Sequence, residues 1–274
     1  MNARGRQLSA ALVLAFATAA GAAEGDAPDD VDAPAARQSD GQRADPWEPF
    51  NRKVFQFNDD LDEAIVKPVA KAYKALLPGF ARTGVTNFFN NFADGWSAVN
   101  HLLQGKVASG MEMGMRFTWN STFGVFGLID MASEMGLERQ SEDFGQTLGR
   151  WGFASGPFLV LPIFGASTVR DAIALPLDRS MTPGALVHGG SNRLAIFSLE
   201  LTNTRADFLA ATRLLDEIAF DRYSFVRDAY LARRRSLVFD GDEPPPKEGD
   251  APPPENEPSS EPKAPASPAS QPLP

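Results

Sequence analysis

The stretch 141–171, S-E-D-F-G-Q-T-L-G-R-W-G-F-A-S-G-P-F-L-V-L-P-I-F-G-A-S-T-V-R-D, alternates glycines with aromatic residues and has no charged side chain between Arg150 and Arg170. Glycine lets a backbone approach another group closely, and aromatic rings supply large apolar area. Pro157 and Pro162 exclude a continuous helix through the stretch. This composition favours a contact surface over a catalytic centre.

The uncharged part of this stretch, 151–169, is typical of a segment that contacts a membrane without crossing it. Five of its residues are glycine or proline, and its most apolar part, 153–164, is much shorter than the roughly 20 residues of a spanning helix. Two interpretations stay open at this point. The segment is either re-entrant or interfacial in lipid, or it is a glycine-rich turn buried in an ordinary core.

The rest of the folded part has mostly helical periodicity. Phe50, Val54, Phe57 and Leu61 share one face of a first helix, which begins after a capping aspartate and a proline at 45–46. Strand signals are few, so we predict an all-α domain with irregular Gly/Pro-rich connections. The further predicted helices span 67–77, 81–93, 96–104, 106–120, 191–203, 205–220 and 223–239.

The two ends of the chain differ from this domain. Residues 1–22 have the positive start, apolar run and small-residue site of a secretory signal peptide. We expect 23–44 to be a disordered acidic linker and 241–274 to be a disordered, Pro-rich acidic tail. The helical domain is then 45–240.

Charge and cysteine content narrow the function. The segment 45–240 carries a net charge of −2, which provides no basic field for nucleic acid. The sequence has no cysteine, so the fold must rest on packing without disulfides, and the chain as written cannot be acylated on cysteine. We expect an exported protein that is not lipidated as written.

The usual enzyme motifs are missing from the sequence. His101 and His188 are the only histidines and lack metal-site spacing, and there is no nucleophile elbow, P-loop or dinucleotide fingerprint. The acidic pair Glu142 and Asp143 is explained more simply as a helix start. We therefore predict no enzymatic activity, no cofactor and no metal. Arginines 233–235 near the end of the last helix complement its dipole or bind phosphate headgroups.

Several motifs together carry a family resemblance, in consistent order over about 45–236. In these motifs the chain resembles the MlaA (VacJ) family, which maintains lipid asymmetry of the outer membrane in Gram-negative bacteria. The motifs are D-P-W-E-P-F-N-R at 45–52, F-N at 57–58, G-V-T-N-F-F-N-N-F at 84–92, F-T-W-N-S-T-F-G-V-F-G-L-I-D-M-A at 117–132, E-D-F-G-Q-T-L-G-R-W-G at 142–152, G-P-F-L-V-L-P at 156–162, G-A-S-T-V-R-D at 165–171 and D-R-Y-S-F-V-R-D-A-Y at 221–230.

The resemblance implies a single ring-like helical domain in the inner leaflet of the outer membrane, with an amphipathic channel. It implies removal of misplaced phospholipids from the outer leaflet and their transfer to a periplasmic lipid carrier, beside a trimeric porin. We thus expect the chain at the periplasmic face of the outer membrane. Family members are typically lipoproteins, and the missing cysteine puts the mode of membrane attachment in doubt. The alternative function is a non-transporting periplasmic scaffold that links a porin to the envelope.

Motif position and the Gly–Phe alternation select the candidate site residues. The amides of Asn58 and Asn120 are predicted to stabilise the ring or to meet headgroups, and each glycine has a tight helix crossing as its alternative role. The predicted lipid-path or membrane-rim residues are Phe144, Gly145, Gly149, Trp151, Gly156, Pro157, Phe158, Leu161, Pro162 and Phe164.

Overall fold

A computed structural model describes residues 45–242, apart from the side chains of residues 217 and 218. The predicted signal peptide, the linker 23–44 and the tail from residue 243 lie outside the described residues. The all-α class with irregular connections is confirmed. The α-helices are α1 (Glu48–Leu61), α2 (Lys67–Leu76), α3 (Gly79–Leu103), α4 (Val107–Thr122), α5 (Met131–Glu134), α6 (Phe144–Arg150), α7 (Val169–Ser180), α8 (Gly190–Ile218) and α9 (Arg222–Val238).

The first four helices form the larger framework. A π-helical turn, Asp62–Val66, joins α1 to α2 without a break. Helix α2 ends at Leu76, because Pro78 disfavours the helical conformation in the residue before it, Leu77. Helices α3 and α4 pack closely against each other across a short turn in which Gly105 has φ +78°. That left-handed conformation is one that glycine adopts without strain.

Two helix breaks that the sequence predicted are wrong. Helix α3 continues through residues 93–96. Gly95 does not end the helix, and its missing side chain leaves room for the ring of Phe117 on α4. Helix α8 runs through 203–205, where the buried Asn203 accepts a hydrogen bond from Tyr73 and donates one to Thr86. In both places a residue that favours helix ends serves contacts between helices.

A β-hairpin interrupts the helical pattern within residues 141–171. Strands β1 (Phe158–Leu161) and β2 (Gly165–Thr168) pair antiparallel, with Phe158 opposite Thr168 and Leu161 opposite Gly165. The sequence pattern does not indicate these strands, because each has only four residues and Pro162 follows the first one. We call residues 158–168 the hairpin.

Among the described residues, buried polar and charged side chains outnumber buried apolar ones. The small apolar core is formed by Phe158, Val160 and Tyr223, with Val54, Phe55 and Leu231 packed against it. Arg116 is the largest of the fully buried side chains. Within residues 45–242, none of the helices combines the length and hydropathy needed to span a membrane.

Candidate functional site

Two asparagines on α1 hold the hairpin by its backbone. The amide of Asn51 donates to the Phe158 carbonyl (3.1 Å) and accepts from the Val160 N–H (2.9 Å). Two turns later, Asn58 donates to the Leu161 carbonyl (2.9 Å) and accepts from the Ile163 N–H (2.7 Å). Both amides therefore replace the strand partner that the outer edge of β1 lacks.

The hairpin separates an inner from an outer face. The side chains of Phe158 and Val160 point into the core, whereas Leu159 points into an open groove of about 560 Å³. The side chains lining this groove are all apolar: Trp47 and Phe50 at the start of α1, Leu159, and Val169, Ala172 and Ile173 at the start of α7. We call it the apolar groove.

A second cavity of about 480 Å³ lies at the other end of α7 and has a mixed lining. Arg179 and Arg193 contribute charge, and Phe197 contributes apolar area. The Arg179 guanidinium pairs with Glu200 (3.1 Å) and lies 5.3 Å above the ring of Phe164 at the hairpin tip. We call this cavity the arginine pocket. Helix α7 thus lines the apolar groove with its first half and the arginine pocket with its second half.

An ion cluster fixes the segment that precedes the hairpin. Arg234 on α9 donates two hydrogen bonds of 2.6 Å to Asp143, the N-cap of α6, and one of 3.0 Å to Asp171 on α7. Tyr230 donates to the other oxygen of Asp171 (2.8 Å). Burial opposes ionisation of Asp171, but the charges of Arg234 and Arg170 outweigh it and lower the pKa of this carboxyl.

Glycines of α6 make room for this cluster. A Cβ on Gly145 would lie 2.4 Å from Arg234 Nη2 and 2.5 Å from Asp171 Oδ1, and one on Gly149 would lie 2.6 Å from Arg170 Nη1. These glycines therefore occupy tight helix crossings, which was the alternative role that the sequence left open. Of the arginines at 233–235, Arg234 belongs to this ion cluster inside the fold, whereas Arg233 and Arg235 are exposed.

The structure places the predicted site residues at different depths. Phe158 and Gly145 are buried, and Asn120 is buried with its amide bonded to Asp130 and to the Ala132 N–H. The exposed ones are Trp151, Gly156, Pro162 and Phe164, and the half-buried ones are Asn58, Phe144, Gly149, Pro157 and Leu161. The buried members have no surface to offer a ligand. Of the exposed ones, Pro162 and Phe164 are in the hairpin and Gly156 precedes it, while Trp151 lies at the end of α6, where its indole donates to the Leu103 carbonyl. Their role in a lipid path stays a prediction.

Sequence reasoning missed Asn51 and the residues that line the apolar groove on α1 and α7. The signal for Asn51 was its spacing of seven from Asn58, which places both amides on one helix face. For the groove, the sequence shows two large apolar side chains, Trp47 and Phe50, at the start of the first helix. Nothing in the sequence pattern indicates that they lie close to Ile173. That pairing depends on the hairpin bringing α1 and α7 together.

Apolar side chains are exposed over much of the described surface. Leu76 and Phe80 are exposed by 80% and 81%, and Phe126 by 78%. A charged network lies beneath: the buried Arg116 bonds to Asp94 and Asp130. Within residues 45–242, no group of three or more potential ligands gathers at a possible metal site.

Comparisons with known proteins agree on one group. The sequence model of the MlaA lipoprotein family matches residues 43–237. The Intermembrane phospholipid transport system lipoprotein MlaA of Escherichia coli K12 is 36% identical over 210 residues, which cover 75% of this chain and 82% of that protein. Its namesake from Haemophilus influenzae is 32% identical, with 73% of this chain and 81% of that protein covered.

A solved structure described as "Structural basis for maintenance of bacterial outer membrane lipid asymmetry" is also similar to this chain. The TM-score is 0.64 at 35% sequence identity. The match covers 72% of this chain and 100% of that one.

Proposed function

The chain belongs to the MlaA lipoprotein family, and from this membership we propose that it removes phospholipids misplaced in the outer leaflet of the outer membrane. The lipid would pass to a periplasmic carrier for retrograde transport, which maintains lipid asymmetry. The name of these relatives, intermembrane phospholipid transport system lipoprotein, supports the substrate class. We propose a non-catalytic role at the periplasmic face of the outer membrane, beside a trimeric porin.

The observation that carries this proposal is the distribution of polarity. Buried positions of the described residues are rich in charged and amide side chains, such as Arg116, Asp94 and Asn100, while large apolar side chains are exposed. A protein in water normally has the opposite preference, since charged residues are rarely fully buried. An apolar exterior around a polar interior suits a protein that rests in lipid and conducts an amphiphile.

Helix α7 suggests how one phospholipid would be held. The apolar groove at its start offers only apolar side chains, and its volume of about 560 Å³ is suited to an acyl chain. The arginine pocket at its other end offers Arg193, beside the pair of Arg179 and Glu200, as a cation for a headgroup phosphate. The half-buried Leu161 and the exposed Pro162 and Phe164 lie at the hairpin tip, where the ring of Phe164 meets Arg179 of the arginine pocket.

The test is a measurement of outer-leaflet phospholipid on cells that lack the protein. We expect surface phospholipid to rise on deletion and to return to normal when the full chain or residues 1–242 are expressed. Cells expressing Leu161→Asp should stay defective, because a charge at the hairpin opposes contact with lipid. Unchanged surface phospholipid on deletion would rule out the proposed function.

The alternative is a non-transporting scaffold that uses the Pro-rich tail to link a porin to the envelope. Residues 243–274 of the tail carry 12 of the 22 prolines in the chain and a net charge of −4, a composition that suits a contact arm. A scaffold should lose most of its function without residues 243–274. A lipid channel should keep most of it, so the complementation by residues 1–242 separates the two.

A further inference from the structure

An exposed apolar surface lies close to the point where the described residues end. Trp151 and Phe153, directly after α6, are exposed by 51% and 60%, and Leu102 and Leu103 at the end of α3 are exposed by 52% and 43%. The indole of Trp151 donates to the Leu103 carbonyl (3.0 Å) and so joins the two pairs. We call these four residues the exit surface. Contiguous apolar surface of this kind marks a contact with another group.

The end of α9 is fixed beside the exit surface. Lys106, three residues after Leu103, pairs with Asp240 (2.6 Å). A Cβ on Gly149 of α6 would lie only 2.9 Å from the Val238 side chain, so the last turn of α9 packs on α6 just before Trp151. Asp240 and Trp151 therefore both bond to residues 103–106, between α3 and α4. The chain beyond Asp242 starts from this place.

The sequence beyond Asp242 begins with a proline triplet, since residues 243–250 read E-P-P-P-K-E-G-D. An extended chain spans at most about 3.6 Å per residue, so residues 244–246 lie within about 14 Å of Asp242. Consecutive prolines favour the polyproline II conformation, which loses little entropy on binding and docks on exposed aromatic rings. The triplet is thus confined to the neighbourhood of a surface of the type that binds proline-rich segments.

Charge favours the same contact. Arg150, next to Trp151, and Arg233 and Arg235, in the last turns of α9, are all exposed. None of the three forms an ion pair with another residue of 45–242. Residues 242–250 contain four acidic residues and one lysine. Acids that a short tether holds close to unpaired arginines are attracted to them, and this attraction is screened by salt.

We propose that the exit surface is the docking site of the chain's own tail, with the proline triplet on the aromatic rings and the neighbouring acids paired with the three exposed arginines. The docked tail covers this face and withholds it from lipid and from other proteins. This goes beyond the proposed function, because it assigns a binding surface within the chain that lipid removal does not require.

Quenching by tryptophan measures the contact, and the absence of cysteine from the sequence makes an introduced label unique. The full chain with Lys247→Cys is labelled with bimane, whose fluorescence tryptophan quenches at short range, and is studied in a non-ionic detergent. We expect strong quenching that Trp151→Phe relieves severalfold. The matched control is Trp47→Phe, at an exposed tryptophan of the apolar groove, which should leave the quenching unchanged.

A second variant separates docking from mere proximity along the chain. Replacing all three residues 244–246 by serine keeps the length of the tether and removes the polyproline II preference. We expect quenching of the bimane to fall severalfold in this variant, and also in about 1 M salt, where charges are screened. Quenching that stays the same with the serines, or in this salt, would overturn the proposal.

A cysteine on the surface itself tests the other occupants, a lipid leaflet and a partner protein. Ala154→Cys introduces a thiol at an exposed position beside Phe153. We expect this thiol to react severalfold more slowly with a water-soluble maleimide when the tail has its prolines than when residues 244–246 are serine. Phe220→Cys, at a fully exposed phenylalanine between α8 and α9, should react equally in both.

Two results of the thiol experiment overturn the proposal. Shielding of Ala154→Cys that appears only in vesicles of phosphatidylethanolamine and phosphatidylglycerol, with prolines and serines alike, places lipid on the exit surface. Shielding that appears only in native outer membranes places a partner protein there. None of these measurements depends on surface phospholipid in cells, so a failure of this proposal is distinct from a failure of the proposed function.

Discussion

The absence of a side chain at Gly145 allows α6 to pack against α7 and α9. Gly145→Ala would place a methyl group within 2.5 Å of both Arg234 and Asp171. We expect it to lower the free energy of unfolding by about 2–4 kcal/mol, because the ion cluster must open while its charges stay largely buried. Urea denaturation checks this value.

The control for that prediction is Gly114→Ala in the interior of α4, where no atom lies within 4 Å of the added Cβ. This variant should gain about 0.5–1 kcal/mol, since alanine is the better helix former. An equal effect of the two substitutions would contradict a crossing-specific role of Gly145.

Two aspartates of α7 have opposite pKa shifts, so they predict opposite effects of pH. Burial raises the pKa of Asp178, although Trp96 and the Phe144 N–H both donate to its carboxylate, whereas Arg234 holds the pKa of Asp171 below its ordinary value. Asp171 therefore stabilises the fold above its unfolded pKa of about 4, and this contribution disappears as the pH falls through the lower, folded pKa. Asp178 loses stability on ionising, so its contribution improves as the pH falls.

We expect Asp171→Asn to be destabilised at pH 7, with the deficit against the wild type shrinking in acid. Asp178→Asn keeps an oxygen for both donors, and it should be more stable than the wild type at pH 7 and lose this advantage in acid. Urea midpoints of the three proteins from pH 3 to pH 8 test the contrast. If the urea midpoints of the two variants changed with pH in the same way, the two carboxylates would not have opposite effects on stability.

The hairpin is the element that contacts both cavities, since Leu159 lines the apolar groove and the ring of Phe164 lies against Arg179 of the arginine pocket. Asn51→Ala would leave the Phe158 carbonyl and the Val160 N–H without their partner at a buried edge of β1. We expect a loss of about 2–4 kcal/mol, since two buried backbone groups lose their hydrogen bonds. Amide exchange at Val160 should accelerate more than exchange in the middle of α3.

Asn58→Ala at the hairpin tip is the milder comparison. Its partners, Leu161 and Ile163, lie nearer to the surface, where water can replace the lost bonds. The expected loss is about 1 kcal/mol, with faster exchange confined to the Ile163 amide. Equal losses of unfolding free energy for Asn51→Ala and Asn58→Ala would mean that the burial of Asn51 does not strengthen its contribution to stability.

Helices were predictable from sequence because their signal is repeated. The residues Phe50, Val54, Phe57 and Leu61 repeat along one face over about three turns, and α1 includes all four of them. The hairpin was not predictable in the same way, since four-residue strands hold too few periods and their partners are amides on α1, about 100 residues earlier. Likewise, composition located the segment 141–171, but only packing shows which of its rings are buried.

At the scale of the whole molecule, the distribution of polar and apolar side chains between interior and surface could not be predicted from composition. A chain that is 43% hydrophobic and has a nearly neutral folded segment is also typical of an ordinary protein in water. Only the folded structure shows that Arg116 and Asp94 are buried while Leu76, Phe80 and Phe126 are exposed. The resemblance to a membrane family pointed to this arrangement, but periodicity alone did not.

This distribution predicts how the purified protein behaves without lipid. The exposed apolar residues, such as Leu76, Phe80 and Phe126, have no cover in water, and the net charge of −2 over 45–240 gives little repulsion between copies. We therefore expect oligomers in detergent-free buffer and a single chain per micelle in a non-ionic detergent, as measured by light scattering after size-exclusion chromatography. The melting temperature should rise by several degrees above the critical micelle concentration, because a ligand that binds only the folded surface stabilises it. A monomer with the same melting temperature in both buffers would mean that the apolar exterior does not need lipid.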